Sequence, residues 1–188
     1  MNKLHLVSPI PPSVNHYLSY RVVYKNGRPM AMSYKTLPAS KYQKDFADYI
    51  KEEVVKQKWK TDLESKRHFY VDCVFYFDRI DKDCNNYFKC MLDAITETQL
   101  VWKDDNIVCE RVNRIYYDSN NPRIELDIYY TDYIGIFDSE KDMNTFLKRC
   151  STCKRYAKNC SIISKAIEGK AQIEIEDNKC LKYTKRKD

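Results

Sequence analysis

The chain predicts an α+β fold: a small mixed β-sheet with helices on one face, followed by a cysteine-rich zinc-knuckle appendage. Three observations predict it. Stretches that alternate apolar and polar residues are interleaved with stretches of helical period, in the order strand, arm, helix, strand, helix, strand, strand. The length, 188 residues, suits one domain with a core plus a small unit. Four of the eight cysteines are gathered between positions 150 and 180, after a break in the pattern at residues 131–138. The expected division is a main domain at 1–132 and an extension at 133–188.

Residues 3–8 alternate and then meet Pro9, Pro11 and Pro12, which reads as a first strand that the prolines end. Residues 13–37 have no clean period. They hold Tyr17, Tyr20, Tyr24, Tyr34, Arg21, Arg28 and Lys35 around an Asn26-Gly27 turn. This is either an arm whose rings stack on bases and whose cations bind phosphate, or an ordinary hairpin with its tyrosines packed on the sheet. Tyr42, Phe46, Tyr49, Ile50 and Val54 have helical spacing, with Ser40 as the expected N-cap. Phe69–Phe77 alternates strongly and reads as a central strand. Phe88, Met91, Leu92 and Ile95 form the apolar stripe of a second helix, with Asp83 or Asn85 near its N-cap. Residues 107–117 and Arg123–Tyr130, joined by the turn at 118–122, read as an antiparallel hairpin. Beyond the break, 141–149 and 162–168 are expected to be helical and 173–176 a short strand.

Composition excludes several classes. Three glycines and the lack of any GxGxxG or GKS/T run leave no basis for a dinucleotide or Walker-type site. No apolar run approaches the roughly 20 residues that span a bilayer, and the polar N-terminus is no signal peptide, so a cytosolic protein is expected. The net charge of +6 is uneven, since residues 148–188 are basic and carry Lys185, Arg186 and Lys187 just before Asp188. A basic, tyrosine-rich surface suits a polyanionic partner, and a solvated lysine-rich face is the alternative.

The chemistry concentrates between positions 83 and 105. The chain leaves a buried strand, turns, and begins a helix at about Asn85, where the positive end of the helix dipole favours anions. Lys89 follows Asn85 by four residues and Asp93 follows Lys89 by four, so the three share one helix face. Asp104 and Asp105 follow a short loop. Hard cations such as Mg²⁺ and Mn²⁺ want converging oxygen ligands, and a lysine beside them can hold a phosphate or steady a leaving oxygen. A capped helix with an i,i+4 Lys–Asp pair is the plain structural alternative for any one of these residues.

Asp83-x-Asn85-Asn86-x-x-Lys89-x-x-x-Asp93, followed by Val101, Asp104, Asp105 and Val108, resembles the RusA family of Holliday junction resolvases. That family carries D-x-D-N-x-x-K-x-x-x-D and then a D-D-x-x-V run. Pro11, Pro12, Ser13 and Asn15 look like its opening P-P-S-x-N segment, and the resemblance covers roughly residues 5–130. It implies a dimeric, phage- or prophage-encoded endonuclease of the bacterial cytoplasm that nicks paired strands of a four-way DNA junction. It also implies Mg²⁺ or Mn²⁺ held at Asp83, Asn85 and Asp105, with Lys89 as the active-site lysine and Asp93 and Asp104 as further acidic positions. Asn15, Tyr17, Arg21 and Lys35 are the expected DNA contacts in this part of the chain.

Asn85 departs from the pattern. An amide oxygen can ligate a metal but lacks the unit charge of aspartate. Three explanations are open: an engineered inactive form, a natural homologue that binds junctions without cutting them, or a carboxylate supplied by a neighbour such as Asp81. The alternative function is thus a non-catalytic junction-binding protein with a degenerate nuclease site.

Cys150-x-x-Cys153, Cys160 and Cys180 lie outside the resemblance and supply four soft ligands, which suits a closed structural Zn²⁺ site. An iron–sulfur cluster is the rival reading, and a tail of free thiols the plain one. Lys154 and Arg155 beside the first pair are expected to touch DNA phosphates.

Overall fold

The computed structural model describes residues 3–65, 67–156, 158, 160–170 and 174–186. They form two compact units, one from Met1–Glu64 with Tyr70–Tyr129 and one from Ser65–Phe69 with Tyr130–Asp188.

The first unit is built on a four-stranded sheet of β1 (Leu4–Pro9), β4 (Phe69–Phe77), β5 (Val108–Tyr117) and β6 (Arg123–Tyr130). Their spatial order is β1-β6-β4-β5. Strand β1 lies antiparallel to β6, with Leu6 opposite Leu126. Tyr70 meets Tyr129 edge-on while the Tyr76 hydroxyl reaches Glu125 at 3.5 Å, so β4 and β6 run in opposite directions. Arg111 pairs with Asp72, Tyr116 stacks on Tyr76, and the Asp118 N–H donates to the Phe77 carbonyl, so β5 runs parallel to β4. The sheet is mixed, as the element order predicts.

The expected hairpin of residues 107–117 and 123–130 does not form, because β4 lies between β5 and β6. The reason is burial. Strand β4 buries every second side chain from Phe69 to Phe77, and on its other face Tyr70, Asp72 and Tyr76 pair with groups on both sides. A strand with two such faces is stabilised most by neighbours on both edges.

Helices α2 (Leu37–Lys56) and α3 (Asn85–Thr98) bury their apolar stripes against each other and against the inner face of the sheet. Phe88 of α3 meets Phe75 edge-on, and Tyr42 of α2 hydrogen-bonds the buried Ser8 of β1 at 2.6 Å. Thr36, not Ser40, caps α2: its hydroxyl accepts from the Ala39 N–H and Pro38 occupies the first turn, where a missing N–H costs nothing.

Residues 13–37 hold a short helix α1 (Val14–Tyr17) and a hairpin of β2 (Leu18–Lys25) and β3 (Arg28–Lys35). Asn26 and Gly27 both have positive φ, the backbone a two-residue hairpin loop requires. This hairpin is a sheet of its own, and Tyr20, Tyr24 and Tyr34 are exposed on it rather than packed on the main sheet.

The second unit contains α4 (Glu140–Ser151), α5 (Ile162–Ile167) and a small ribbon of β7 (Ile175–Glu176) and β8 (Lys179–Cys180). The Ser139 hydroxyl caps α4 through the Asp142 N–H. Phe137, Phe146 and Ala166 form a small core, against which Cys150 and Cys180 also pack. Ile173, the start of the strand expected at 173–176, and Lys187 of the basic tail lie outside the described residues.

Candidate active site

Helix α3 begins where the sequence places it. Asp83 stands just outside and its carboxylate accepts the Asn85 N–H at 3.0 Å, satisfying a donor that the helix start leaves open. Asp83, Asn85 and Lys89 are all exposed, so this face is open to solvent.

One turn in, the Lys89 ammonium donates to Asp93 Oδ1 at 2.8 Å and to Asp105 Oδ2 at 3.3 Å. The hydrogen bond to Asp93, with the charges of Asp93 and Asp105, holds the lysine above its usual pKa despite partial burial. It is therefore a fixed cation at neutral pH.

Asp105 reaches Lys89 because the loop between α3 and β5 is pinned. Gln99 ends the helix in the left-handed conformation, and its amide donates to the Thr96 and Lys103 carbonyls. The indole of buried Trp102 donates to the Thr96 hydroxyl at 2.7 Å. Asp104 then caps a 3₁₀ turn at Asp105–Ile107 through the Asn106 N–H. Trp102 was visible beside Asp104 in the sequence, but nothing there showed that it anchors the loop.

Tyr17 is not on an open DNA-contact face. It is 6% exposed, and its hydroxyl donates to Asp93 Oδ2 at 2.5 Å while accepting from the Gln43 amide at 3.3 Å. Burial first, and then the bond to Asp93, push its pKa up to about 12. The reason is the fold: α1 packs on α3, which turns the ring inward. Asn15, Arg21 and Lys35 are exposed; Arg21 lies over the Tyr34 ring, and Lys35 donates to Gln43 at 2.6 Å. Gln43 was missed by sequence reading because a glutamine inside a helical stripe carries no periodic signal. Asp81, a possible substitute carboxylate, is paired with Arg79 at 2.8 Å.

In the second unit, Cys150, Cys153, Cys160 and Cys180 are free thiols that line one cavity of about 240 Å³. Backbone N–H groups of Thr184 and Arg155 bond the Cys153 sulfur and lower its pKa, while burial, with its three cysteine neighbours, raises that of Cys150. Lys154 and Arg155 are exposed and line a basic recess with Lys158 and Thr184. Among the described residues, no group of three or more His, Cys, Asp or Glu side chains is gathered closely enough to hold an ion. The donor types nonetheless fit their expected ions: hard oxygens at the mouth of α3 and soft sulfurs around the cavity.

Also among the described residues, no helix is long and apolar enough to cross a membrane. No curated protein matches the chain. The family model described as endodeoxyribonuclease RusA matches residues 9–129, a stretch that holds the whole Asp83–Asp105 cluster and stops short of the four C-terminal cysteines. With well over half of its length inside that match, the chain belongs to the RusA family of endodeoxyribonucleases, which bind branched DNA and resolve Holliday junctions.

Proposed function

We propose that the chain is a metal-dependent, structure-selective endonuclease that resolves four-way junctions by paired nicks, acting as a homodimer. Residues 1–132 form its nuclease domain and 133–188 a zinc-binding extension. The observation that carries this reading is Lys89, held between Asp93 and Asp105 on an exposed helix face beside Asp83 and Asn85. Asp83, Asn85 and Asp105 supply oxygen donors to Mg²⁺ or Mn²⁺. When bound, the ion supplies Lewis acidity toward a phosphodiester and lowers the pKa of a water. Lys89 places a fixed positive charge where the phosphate's negative charge builds up. Asn15, Arg21 and Lys35, with Lys154 and Arg155, offer exposed donors and cations to the DNA backbone.

Asn85 favours a second reading, a protein that grips junctions without cutting them, because the site is one negative charge short of the family pattern. Nicking of a synthetic four-way junction, by the chain as it stands and by Asn85→Asp, decides between the two. A nuclease nicks in at least one form, and rescue confined to Asn85→Asp identifies Asn85 as the disabling residue. A chain that binds junctions but is inert in both forms is a binder, and the endonuclease reading ends there.

The four thiols around one cavity support a structural Zn²⁺ in the extension. Cys150, Cys153, Cys160 and Cys180 would hold the ion, which would supply folding energy to the extension.

A further inference from the structure

A single hydrogen-bonded line runs from the foot of the exposed hairpin to the active-site lysine. Lys35, the last residue of β3, donates to Gln43 Oε1 at 2.6 Å. The Gln43 amide donates to the Tyr17 hydroxyl at 3.3 Å and to the Cys90 carbonyl at 3.4 Å. Tyr17 donates to Asp93 Oδ2, and Lys89 donates to Asp93 Oδ1 and onward to Asp105.

The direction of every bond is forced. Lys35 has only donors, so it must face the amide oxygen of Gln43, which aims the amide nitrogen at Tyr17 and Cys90. Tyr17 has one proton, and it goes to the carboxylate, which can only accept. Gln43 is 2% exposed and Tyr17 6%, so water does not readily substitute for either partner. Asp93 is thereby gripped from both sides, one oxygen by Tyr17 and the other by Lys89, and cannot rotate away. A carboxylate serving only as a surface i,i+4 partner needs no buried tyrosine behind it.

We propose that Tyr17 and Gln43 are positioning residues: they lock Asp93, Asp93 aims Lys89 at the scissile phosphate, and Lys35 ties this line to the hairpin. The proposal rests on the endonuclease reading of the same site.

The test is Tyr17→Phe, which keeps the ring and removes the proton. It is made in whichever parent nicks junctions, Asn85 or Asn85→Asp, and assayed well below the melting temperature. Turnover is expected to fall by roughly 10-fold or more while KM and junction affinity stay within about 2-fold, since misaimed groups cost rate rather than binding. Added to Asp93→Ala, Tyr17→Phe is expected to cause no further loss, because its effect passes through Asp93. Gln43→Met, which fills the same volume, carries the test if Tyr17→Phe does not fold. Full turnover in Tyr17→Phe, or losses that simply add in the double variant, overturns the proposal while leaving the nuclease intact. A parent inert in both forms instead overturns the nuclease reading, and the proposal falls with it.

Discussion

Gly135 shows how much a single residue can hold in place without any chemistry of its own. Its φ is +58°, and a Cβ built on it would lie 2.0 Å from the Ala166 carbonyl oxygen and 2.6 Å from that of Ile167. Its neighbour Ile136 donates to the same Ala166 carbonyl at 3.0 Å, so the loop is pressed against the end of α5. Gly135→Ala meets both left-handed strain and a backbone clash, and is expected to cost the second unit at least about 2 kcal/mol. Thermal melting and limited proteolysis of residues 130–188 check this; an unchanged melting temperature would falsify the close approach. Nothing in the local sequence distinguishes Gly135 from an ordinary loop glycine. Gly27, by contrast, was legible, because the Asn26-Gly27 pair is a turn signal in its own right.

The same contrast holds among elements. Helix α3 was readable from an apolar stripe and an acidic start, since both are periodic or local signals. The thiol-lined cavity depends on elements that are far apart in the chain. Cys150 lies in the last turn of α4, Cys153 follows in a turn, and Cys180 arrives on β8 after a two-residue loop in which Asp177 and Asn178 both have positive φ. A bridge between Cys153 and Lys185, with the Lys154 N–H on the Thr184 carbonyl, brings the C-terminal segment alongside. Elemental analysis of the purified chain is expected to find one zinc per chain and no iron. A strong chelator is expected to lower the melting temperature of the second unit, because structural zinc contributes folding energy directly. A metal-free protein with an unaltered melt removes the zinc site, and stoichiometric iron replaces it with a cluster.

For the whole molecule, the demand comes from the substrate. A four-way junction is resolved by two symmetric nicks, and one chain carries one Lys89 site, so a twofold pair of chains is the economical solution. Light scattering at micromolar concentration is expected to give twice the mass of one chain, with or without junction DNA. A monomer under both conditions sinks the dimer. The two-unit division also has a whole-chain cause that local patterns do not carry. Residues 65–69 lie far from the C-terminal segment in sequence, yet they join it: the Arg67 guanidinium donates to the Thr131 carbonyl, and the His68 carbonyl accepts the Thr131 N–H.

By itself the sequence determined the strands of the main sheet and the two long helices in their order, the mixed α+β character, and the residues of the acidic cluster, because each is written in local periodicity or fixed spacing, whereas α1 and the β2–β3 hairpin were not. Only the tertiary structure decided that β4 separates β5 from β6, since strand adjacency depends on which faces must be buried and not on order along the chain. The same holds for Tyr17, exposed-looking in an aperiodic segment yet turned inward onto Asp93 by α1 packing on α3. Hydrogen bonds between residues 76 positions apart leave no trace in spacing, and a half-buried carboxylate oxygen takes whichever donor the fold brings to it.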